Sequence, residues 1–359
     1  MPKAKTLVGL DVHATKVVAA ILDVESGELR RARLPGSSAA TIELCGSLPA
    51  PVRATYEAGP TGYGLARGLA EADIECLVCA PGKIPRGATD RIKTDHRDAE
   101  HLVRLLLAGK LQRVRVPEPP EEALRDLVRA REDVRIDLMR ARHRLSKLLL
   151  RHGHRFEGRA WTRPHQDWLA GIELDHEPAQ LALLDYRGAV DLLMARRGEL
   201  EGQIARLVPD SPWAETVGRF RCLRGIDTLS AVGLCCEVGD FERFAKAGQL
   251  MSYLGLVPSE ASTGERRRLG SITKSGSRHA RRLLVEASWH YRHQPRVSRQ
   301  LATRQQGQGA EAIAVSWAAQ RRLYHLWNRL QRRGKRRTVI AVAGARELAG
   351  FAWAIARID

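Results

Sequence analysis

Four carboxylates stand where a folded chain could gather them around a divalent metal ion. Asp11 ends an apolar run typical of a β-strand, and Glu57 ends a second such run. Asp95 and Asp98 are three residues apart at the start of a helical segment, so both side chains can share one helix face. Mg²⁺ requires oxygen ligands, which carboxylates and substrate phosphates supply, and Mn²⁺ accepts the same ligands. Two such ions about 3.5 to 4 Å apart would activate one oxygen and stabilise the leaving oxygen in phosphodiester chemistry.

Each acid taken alone also fits the solvated end of a strand or helix. Two histidines accompany them: His13 follows Asp11 by two positions, and His96 lies between the two aspartates. These histidines could assist proton transfer or contact phosphate, but we favour a role as polar neighbours of the site. The prediction of a metal site therefore depends on the four acids jointly.

A second segment that could do chemistry spans residues 255–291. Ser262 and Thr263 precede a glycine inside a cationic stretch. Such a loop can bring a hydroxyl to a phosphate while cations neutralise the developing charge. The alternative is a loop that binds phosphate without covalent chemistry, and the residues alone favour that alternative. The cations expected to contact nucleic acid are Arg266, Arg267, Arg268, Lys274, Arg278, Arg281 and Arg282.

The net charge of +18 and the pI near 10.3 indicate a polyanionic partner, with nucleic acid the leading candidate. Residues 261–300 hold ten Lys or Arg against two Glu, and residues 321–337 add eight cations without an acid. The basic surface is therefore predicted in the C-terminal part of the chain. No signal peptide is found, and no apolar run approaches the roughly 18 residues of a membrane span. We expect a cytoplasmic protein associated with the nucleoid.

The first 116 residues predict an α/β domain with the order βββαβαβ. Strands are expected at 6–11, 16–23, 28–34, 52–57 and 74–79, with helices near 39–47, 62–72 and 94–111. Prolines 117, 119 and 120 then end the domain.

Residues 121–151 and 186–207 repeat apolar residues at spacings of three and four. An antiparallel helical hairpin, with its tip loop at about 152–177, is the simplest interpretation, either as a coiled coil or as an ordinary helical core. The last domain is predicted to be mostly helical, with helices near 228–237, 277–290 and 311–330. It begins with Leu223-Arg224-Gly225-Ile226, a glycine-containing turn that suits phosphate binding.

The order of the four acids on these elements resembles the RuvC-like branch of the RNase H fold over residues 5–110. Together with the segment at 255–291, the motif at 223–226 and residues 241–256, it resembles the insertion-sequence transposases that carry N-terminal DEDD carboxylates, a group that includes the bridge-RNA-guided recombinases. The resemblance implies four regions: a RuvC-like domain at 1–116, a coiled-coil hairpin at 117–208, a serine-type transposase domain at 209–337 and a tail at 338–359.

That resemblance also implies partners and roles. Asp11, Glu57, Asp95 and Asp98 would hold Mg²⁺, and the hydroxyl nucleophile would form a covalent phosphoester with DNA. Such proteins assemble as dimers or tetramers around donor and target DNA, with a structured RNA from the element as guide. The family's serine stands immediately before the glycine, whereas this chain has Thr263 there and Ser262 one residue earlier. Register favours Thr263, although the threonine methyl group crowds the attack.

Two other functions remain open from the sequence. A junction-resolving nuclease would cut with metal-activated water and leave no covalent adduct. A catalytically inactive scaffold would bind nucleic acid without cutting it, whether or not the four acids are present.

Overall fold

The computed structural model describes residues 4–85, 94–261 and 268–358. The chain divides into two compact units, Met1–Glu118 and Pro119–Asp359. Three prolines lie at this division, at positions 117, 119 and 120, where they limit the backbone conformations available to the connecting segment.

The described part of the first unit holds one five-stranded mixed sheet and three α-helices. The strands are β1 Thr6–Val12, β2 Lys16–Asp23, β3 Leu29–Pro35, β4 Val52–Glu57 and β5 Glu75–Cys79. The helices are α1 Ser38–Gly46, α2 Gly64–Glu71 and α3 Asp95–Leu107. The sheet order is β3-β2-β1-β4-β5; β1 and β3 pair antiparallel with β2, and β4 pairs parallel with both β1 and β5. The predicted order of strands and helices is confirmed.

The central strand β1 carries a core on each face because its side chains alternate. Val8 and Leu10 pack into one core, while Leu7 shares the other with residues of α3. Gly9 lies on the α3 face, where a β-carbon would stand 2.2 Å from the Ala99 carbonyl oxygen. Glycine therefore lets α3 lie directly on β1.

The second unit begins with two long helices, α4 Pro119–Arg151 and α6 Glu177–Leu207. Leu124 shares a core cluster with Ile204, whereas Leu145 shares another with Val190, so the helices run antiparallel. The hairpin is thus observed, and a supercoiled seam stays a prediction. The predicted tip loop contains a helix, α5 Arg163–Ala170. Pro164 suits the first turn of this helix, and the Leu169 side chain is buried.

The remainder of the second unit is mostly helical around one large core. Its helices are α7 Ala214–Phe220, α8 Thr228–Val238, α9 Ala247–Tyr253, α10 Arg278–Ser288, α11 Arg299–Gln305, α12 Ala310–Arg332 and α13 Arg337–Ala356. Two short strands, β6 Pro258–Glu260 and β7 Leu269–Ile272, pair antiparallel on either side of residues 261–268.

Helix α13 corrects the predicted tail at 338–359. Ile340, Leu348 and Ile355 are completely buried, because the helix packs into the core of the second unit. It is also the one helix in the described residues long and apolar enough to cross a membrane by length and composition, which the sequence analysis did not expect. Arg346 and Glu347 interrupt its apolar run, and its buried side chains are those of a core helix.

Candidate functional site

Two of the four predicted acids lie at the same edge of the sheet. Asp11 is near the carboxyl end of β1, and Glu57 ends the adjacent parallel strand β4. Leu10 pairs with Tyr56, so Asp11 and Glu57 follow as neighbours at the next position of each strand. Leu10 and Tyr56 both belong to the core on the face opposite α3. By alternation, Asp11 and Glu57 belong to the face that α3 covers.

Helix α3 brings the other two acids to this edge. Thr94 caps the helix by accepting a hydrogen bond from the Arg97 amide (3.4 Å), so Asp95 and Asp98 stand in the first turn. Because α3 runs antiparallel to β1, its first turn is the part closest to the end of the strand. The partial positive charge of a helix N-terminus also favours carboxylates there.

Asp11, His13 and Asp95 form the cluster in the described residues that could hold a metal ion, with their ligand atoms all within 4.8 Å of one another. His13 Nε2 lies 3.2 Å from Asp11 Oδ2 and 3.8 Å from Asp95 Oδ1. A carboxylate on β1, a carboxylate on α3 and an imidazole directly after β1 are a donor set that divalent ions accept. Of the two histidines weighed in the sequence, His13 is the one that this cluster includes.

The charges around this cluster also suit a cation. Burial raises the pKa of Asp11, and Asp95 and Asp98 raise it further, while His13 opposes the shift. The Lys16 ammonium donates a hydrogen bond to Asp95 and lowers the pKa of that carboxyl. Lys16 neutralises part of the negative charge at Asp95, and a divalent ion would relieve the remaining repulsion among the acids. The oxygen and imidazole donors of the cluster therefore fit a divalent metal ion.

The predicted nucleophiles Ser262 and Thr263, together with Arg266 and Arg267, lie outside the described residues. The chain before β6 and the chain after β7 lie against each other. Gly255 has φ +65°, and a β-carbon there would stand 2.3 Å from the Ser275 carbonyl oxygen; Gly276 has φ +68° and is equally crowded against Tyr253. Only glycine fits at these two positions, which fix where β6 and β7 leave the core.

The remaining predicted cations divide into two groups. Arg268, Lys274 and Arg278 are exposed. Arg281 donates hydrogen bonds to the carbonyl oxygens of Leu254 (3.0 Å), Ser275 and Gly276 (3.1 Å). Arg282 pairs with Glu132 and Glu286, each at 2.7 Å. Arg281 and Arg282 are therefore already paired with groups of the chain itself. The sequence did not predict these structural contacts.

Beside α10, a network of partly buried charged and polar groups joins this helix to α4 and α8. Glu132 accepts from Arg282, and His279 lies 3.7 Å from Glu132 and 3.9 Å from Glu237. Arg129 Nε lies 3.1 Å from the Glu237 carboxylate. Despite its burial, hydrogen bonds from His279, Arg129 and Ser277 and the charge of Arg129 lower the pKa of Glu237 to about 2.

A mixed sheet of this order, with acids at the ends of neighbouring parallel strands and on the helix that covers them, fits an RNase H-like DEDD domain. Comparison with known proteins agrees. A DEDD-type profile of the IS110 group, described as "Transposase", matches residues 8–153, and the profile "Transposase IS116/IS110/IS902 family" matches residues 218–302.

Two relatives extend this match over nearly the whole chain. "Putative transposase y4qE" of Sinorhizobium fredii is 41% identical across 98% of this chain and 89% of its own length. "Transposase for insertion sequence element IS1533" of Leptospira borgpetersenii is 32% identical across 93% of this chain and 99% of its own length. The chain belongs to the IS110/IS116 family of transposases. Membership implies the cleavage and rejoining of DNA, and the DEDD domain suggests the use of a divalent metal ion.

Proposed function

We propose that this transposase excises and inserts its own mobile element in a Mg²⁺-dependent reaction that passes through a covalent link between a protein hydroxyl and a DNA phosphate. The observation that carries the proposal is the meeting of Asp11, His13 and Asp95 at the first turn of α3, in a chain whose family cleaves and rejoins DNA.

In this proposal Asp11 and Asp95 hold the ion, and Asp98 and Glu57 complete the DEDD set beside them. When bound, Mg²⁺ or Mn²⁺ supplies Lewis acidity toward the phosphate being cleaved. His13 orients the Asp11 carboxylate, since its Nε2 lies 3.2 Å from Oδ2. Lys16 orients Asp95 by its hydrogen bond and limits the repulsion among the acids.

The hydroxyl oxygen of Thr263, or of Ser262, attacks the phosphorus. A new P–O bond to the protein forms as the bond to one DNA oxygen breaks, and that oxygen leaves with a proton. The reverse attack by a DNA hydroxyl then joins the new strands and restores the protein hydroxyl. Arg268, Lys274 and Arg278 are exposed on the flanking segments and would neutralise phosphate charge there.

A structured RNA from the element's own end is proposed as the guide, and a homodimer or homotetramer as the assembly, both on the resemblance to bridge-RNA-guided recombinases. The strongly basic C-terminal half supports a polyanionic partner of either kind, DNA or RNA. We place the protein in the cytoplasm, at the nucleoid, where its DNA substrate lies.

The test combines the full-length protein, Mg²⁺, labelled DNA carrying the element's junction and RNA transcribed from the element's end. A denaturing gel then separates protein-linked DNA from free DNA. Thr263→Ala, Ser262→Ala and Asp11→Ala are run beside Glu43→Gln, which removes an exposed carboxylate on α1. We expect a linked band that one hydroxyl variant and Asp11→Ala abolish and that Glu43→Gln keeps.

Other outcomes would redirect the proposal. Cleaved ends without a linked band would indicate a nuclease in which water attacks the phosphate. A linked band of equal intensity without the RNA would remove the guide from the proposal. Binding without cleavage, unaffected by Asp11→Ala, would indicate a scaffold.

A further inference from the structure

Helices α12 and α13 enclose an open groove of about 750 Å³. Neither family profile covers these helices, since the matches are to residues 8–153 and 218–302. The α12 wall of the groove is strongly cationic and the α13 wall is not. Its polar lining residues are Arg321, Arg322, His325, Arg329 and Arg332 from α12, with Glu347 from α13.

The arginines on α12 form a stripe along the helix. Arg321 and Arg329 are eight residues apart with His325 midway between them, which places all three side chains on one helix face at intervals of about 6 Å. Arg332 extends the stripe by nearly one further turn, for a length of about 16 Å. Duplex DNA offers one negative charge per roughly 1.7 Å of its axis. A linear stripe of this length can therefore meet several phosphates of one backbone.

Most of this charge is available to a ligand. Arg322 pairs with Glu347, its Nε lying 2.6 Å from the carboxylate. Among the described residues, no carboxylate lies within 4.0 Å of the guanidinium groups of Arg321, Arg329 and Arg332, and all three side chains are exposed. Residues 333–337 continue with four more exposed cations. Among the described residues, Glu347 therefore neutralises Arg322 and leaves the charges of Arg321, Arg329 and Arg332 in place.

The lining favours a duplex over a single strand. Proteins that bind single-stranded nucleic acid use exposed aromatic rings on which bases stack. Among the described lining residues the aromatic rings are Phe351, which is half-buried, and the single imidazole of His325. Arginines predominate among the polar lining residues, and such cations contact phosphates without reading bases.

We infer that the groove between α12 and α13 is a second DNA-binding surface, which holds the phosphate backbone of duplex DNA apart from the segment at 255–291. DNA is the substrate that the family shows, so the inference requires neither the covalent chemistry nor the RNA guide proposed above. Its role is to anchor the substrate, with no part in bond breaking.

The test measures the affinity of the full-length protein for a labelled duplex over a range of salt concentrations. EDTA is present, so that failure of the proposed chemistry cannot alter the result. The variant Arg321→Ala/Arg329→Ala/Arg332→Ala is compared with Arg140→Ala/Arg196→Ala/Arg206→Ala, which removes three exposed arginines from the hairpin. Alanine is a strong helix former, so both sets should fold.

Each phosphate contact contributes about 0.9 to the slope of log K against log salt concentration. We expect the groove variant to reduce this slope by about 2 to 3 and to lower affinity at least about tenfold for duplexes of any sequence. The hairpin variant should change both far less. Replacement of the same three groove arginines by lysine should restore most of the affinity, since the contact needs a positive charge more than a fork-shaped group.

Glu347→Gln tests the inference in the opposite direction. It frees Arg322 from its ion pair without enlarging or emptying the groove, so we expect the slope to steepen by about 0.9 and the affinity to rise.

An unchanged slope in the groove variant, or an equal loss in both triple variants, would overturn the inference. A loss of binding to structured RNA with duplex DNA binding intact would overturn it as well and assign the groove to RNA.

Discussion

Glu237 keeps a negative charge in the interior of the second unit because three groups surround it. Arg129 Nε lies 3.1 Å and His279 Nδ1 lies 3.9 Å from the Glu237 carboxylate, and Ser277 contributes a hydrogen bond to it. The pKa of Glu237 is about 2, below its ordinary value of 4.5. The charged form therefore stabilises the fold above about pH 4.5, and this contribution is lost as the pH falls toward 2.

Glu237→Gln is expected to lower the free energy of unfolding by about 2 to 3 kcal/mol at pH 7. The difference between wild type and variant should shrink as the pH falls from about 4.5 toward 2. Urea unfolding at a series of pH values measures both effects, with the exposed Glu199→Gln as control. A difference that stays constant down to pH 2 would show that the charge of Glu237 contributes nothing.

Single residues also mark the limit of sequence-based prediction. Asp11 and Asp95 could be proposed as ligands because their residue type and position at element ends suit a metal ion. Lys16 could not, since 79 residues separate it from Asp95 and only the folded chain shows that they meet. The same reason hid the internal partners of Arg281 and Arg282. The roles of the four acids and of the two hydroxyl residues stay predictions.

At the scale of elements, Gly9 sets the distance between β1 and α3. A β-carbon there would stand 2.2 Å from a carbonyl oxygen and 2.7 Å from the Val103 amide nitrogen, so backbone atoms would have to move. We expect Gly9→Ala to destabilise the first unit by about 3 kcal/mol or more. It should also reduce DNA cleavage, because α3 carries Asp95, which we propose as a ligand of the metal ion.

Gly46→Ala is the matched control for this prediction. Gly46 ends α1 in the same unit and has no atom within 4 Å of the position that a β-carbon would take. Its replacement should leave stability within about 1 kcal/mol of wild type, or raise it. Chemical denaturation followed by far-UV circular dichroism compares the two variants. Equal stability of Gly9→Ala and Gly46→Ala would contradict the close approach of α3 to β1.

The elements that could be predicted are those with a clear apolar period. The three-stranded meander and the helices flanking it follow from alternation and from turn residues. Helix α5 was missed because it is eight residues long and buries only His165 and Leu169, too few for a detectable pattern. Helix α13 was missed for the opposite reason, since it is apolar around most of its circumference and has no polar face to define a period.

At the scale of the whole molecule, the last helix is part of the core of the second unit. We expect a chain truncated after Arg337 to lose the cooperative unfolding of that unit, since eight buried residues of α13 would be removed from it.

Point substitutions in α13 test the same packing. Leu348→Ala should lower the free energy of unfolding by about 2 to 5 kcal/mol, whereas Val339→Ala, at a half-exposed position, should lower it by less than about 1 kcal/mol. Thermal unfolding monitored by near-UV circular dichroism measures all three changes. A truncated chain with an unchanged melting temperature would restore the interpretation of this segment as a tail.

The charge network at Glu132 gives the hairpin a mechanical property. Glu132 pairs with Arg282 and neighbours His279, so this part of α4 is tied to α10, the helix that follows β7. Between Glu132 and the end of α4 at Arg151 the helix rises about 28 Å and packs along α6 on a core of its own. The hairpin therefore fixes the distance between α10 and any molecule that contacts the hairpin tip. Inserting or deleting one helical turn in both α4 and α6 would change that distance by about 5 Å.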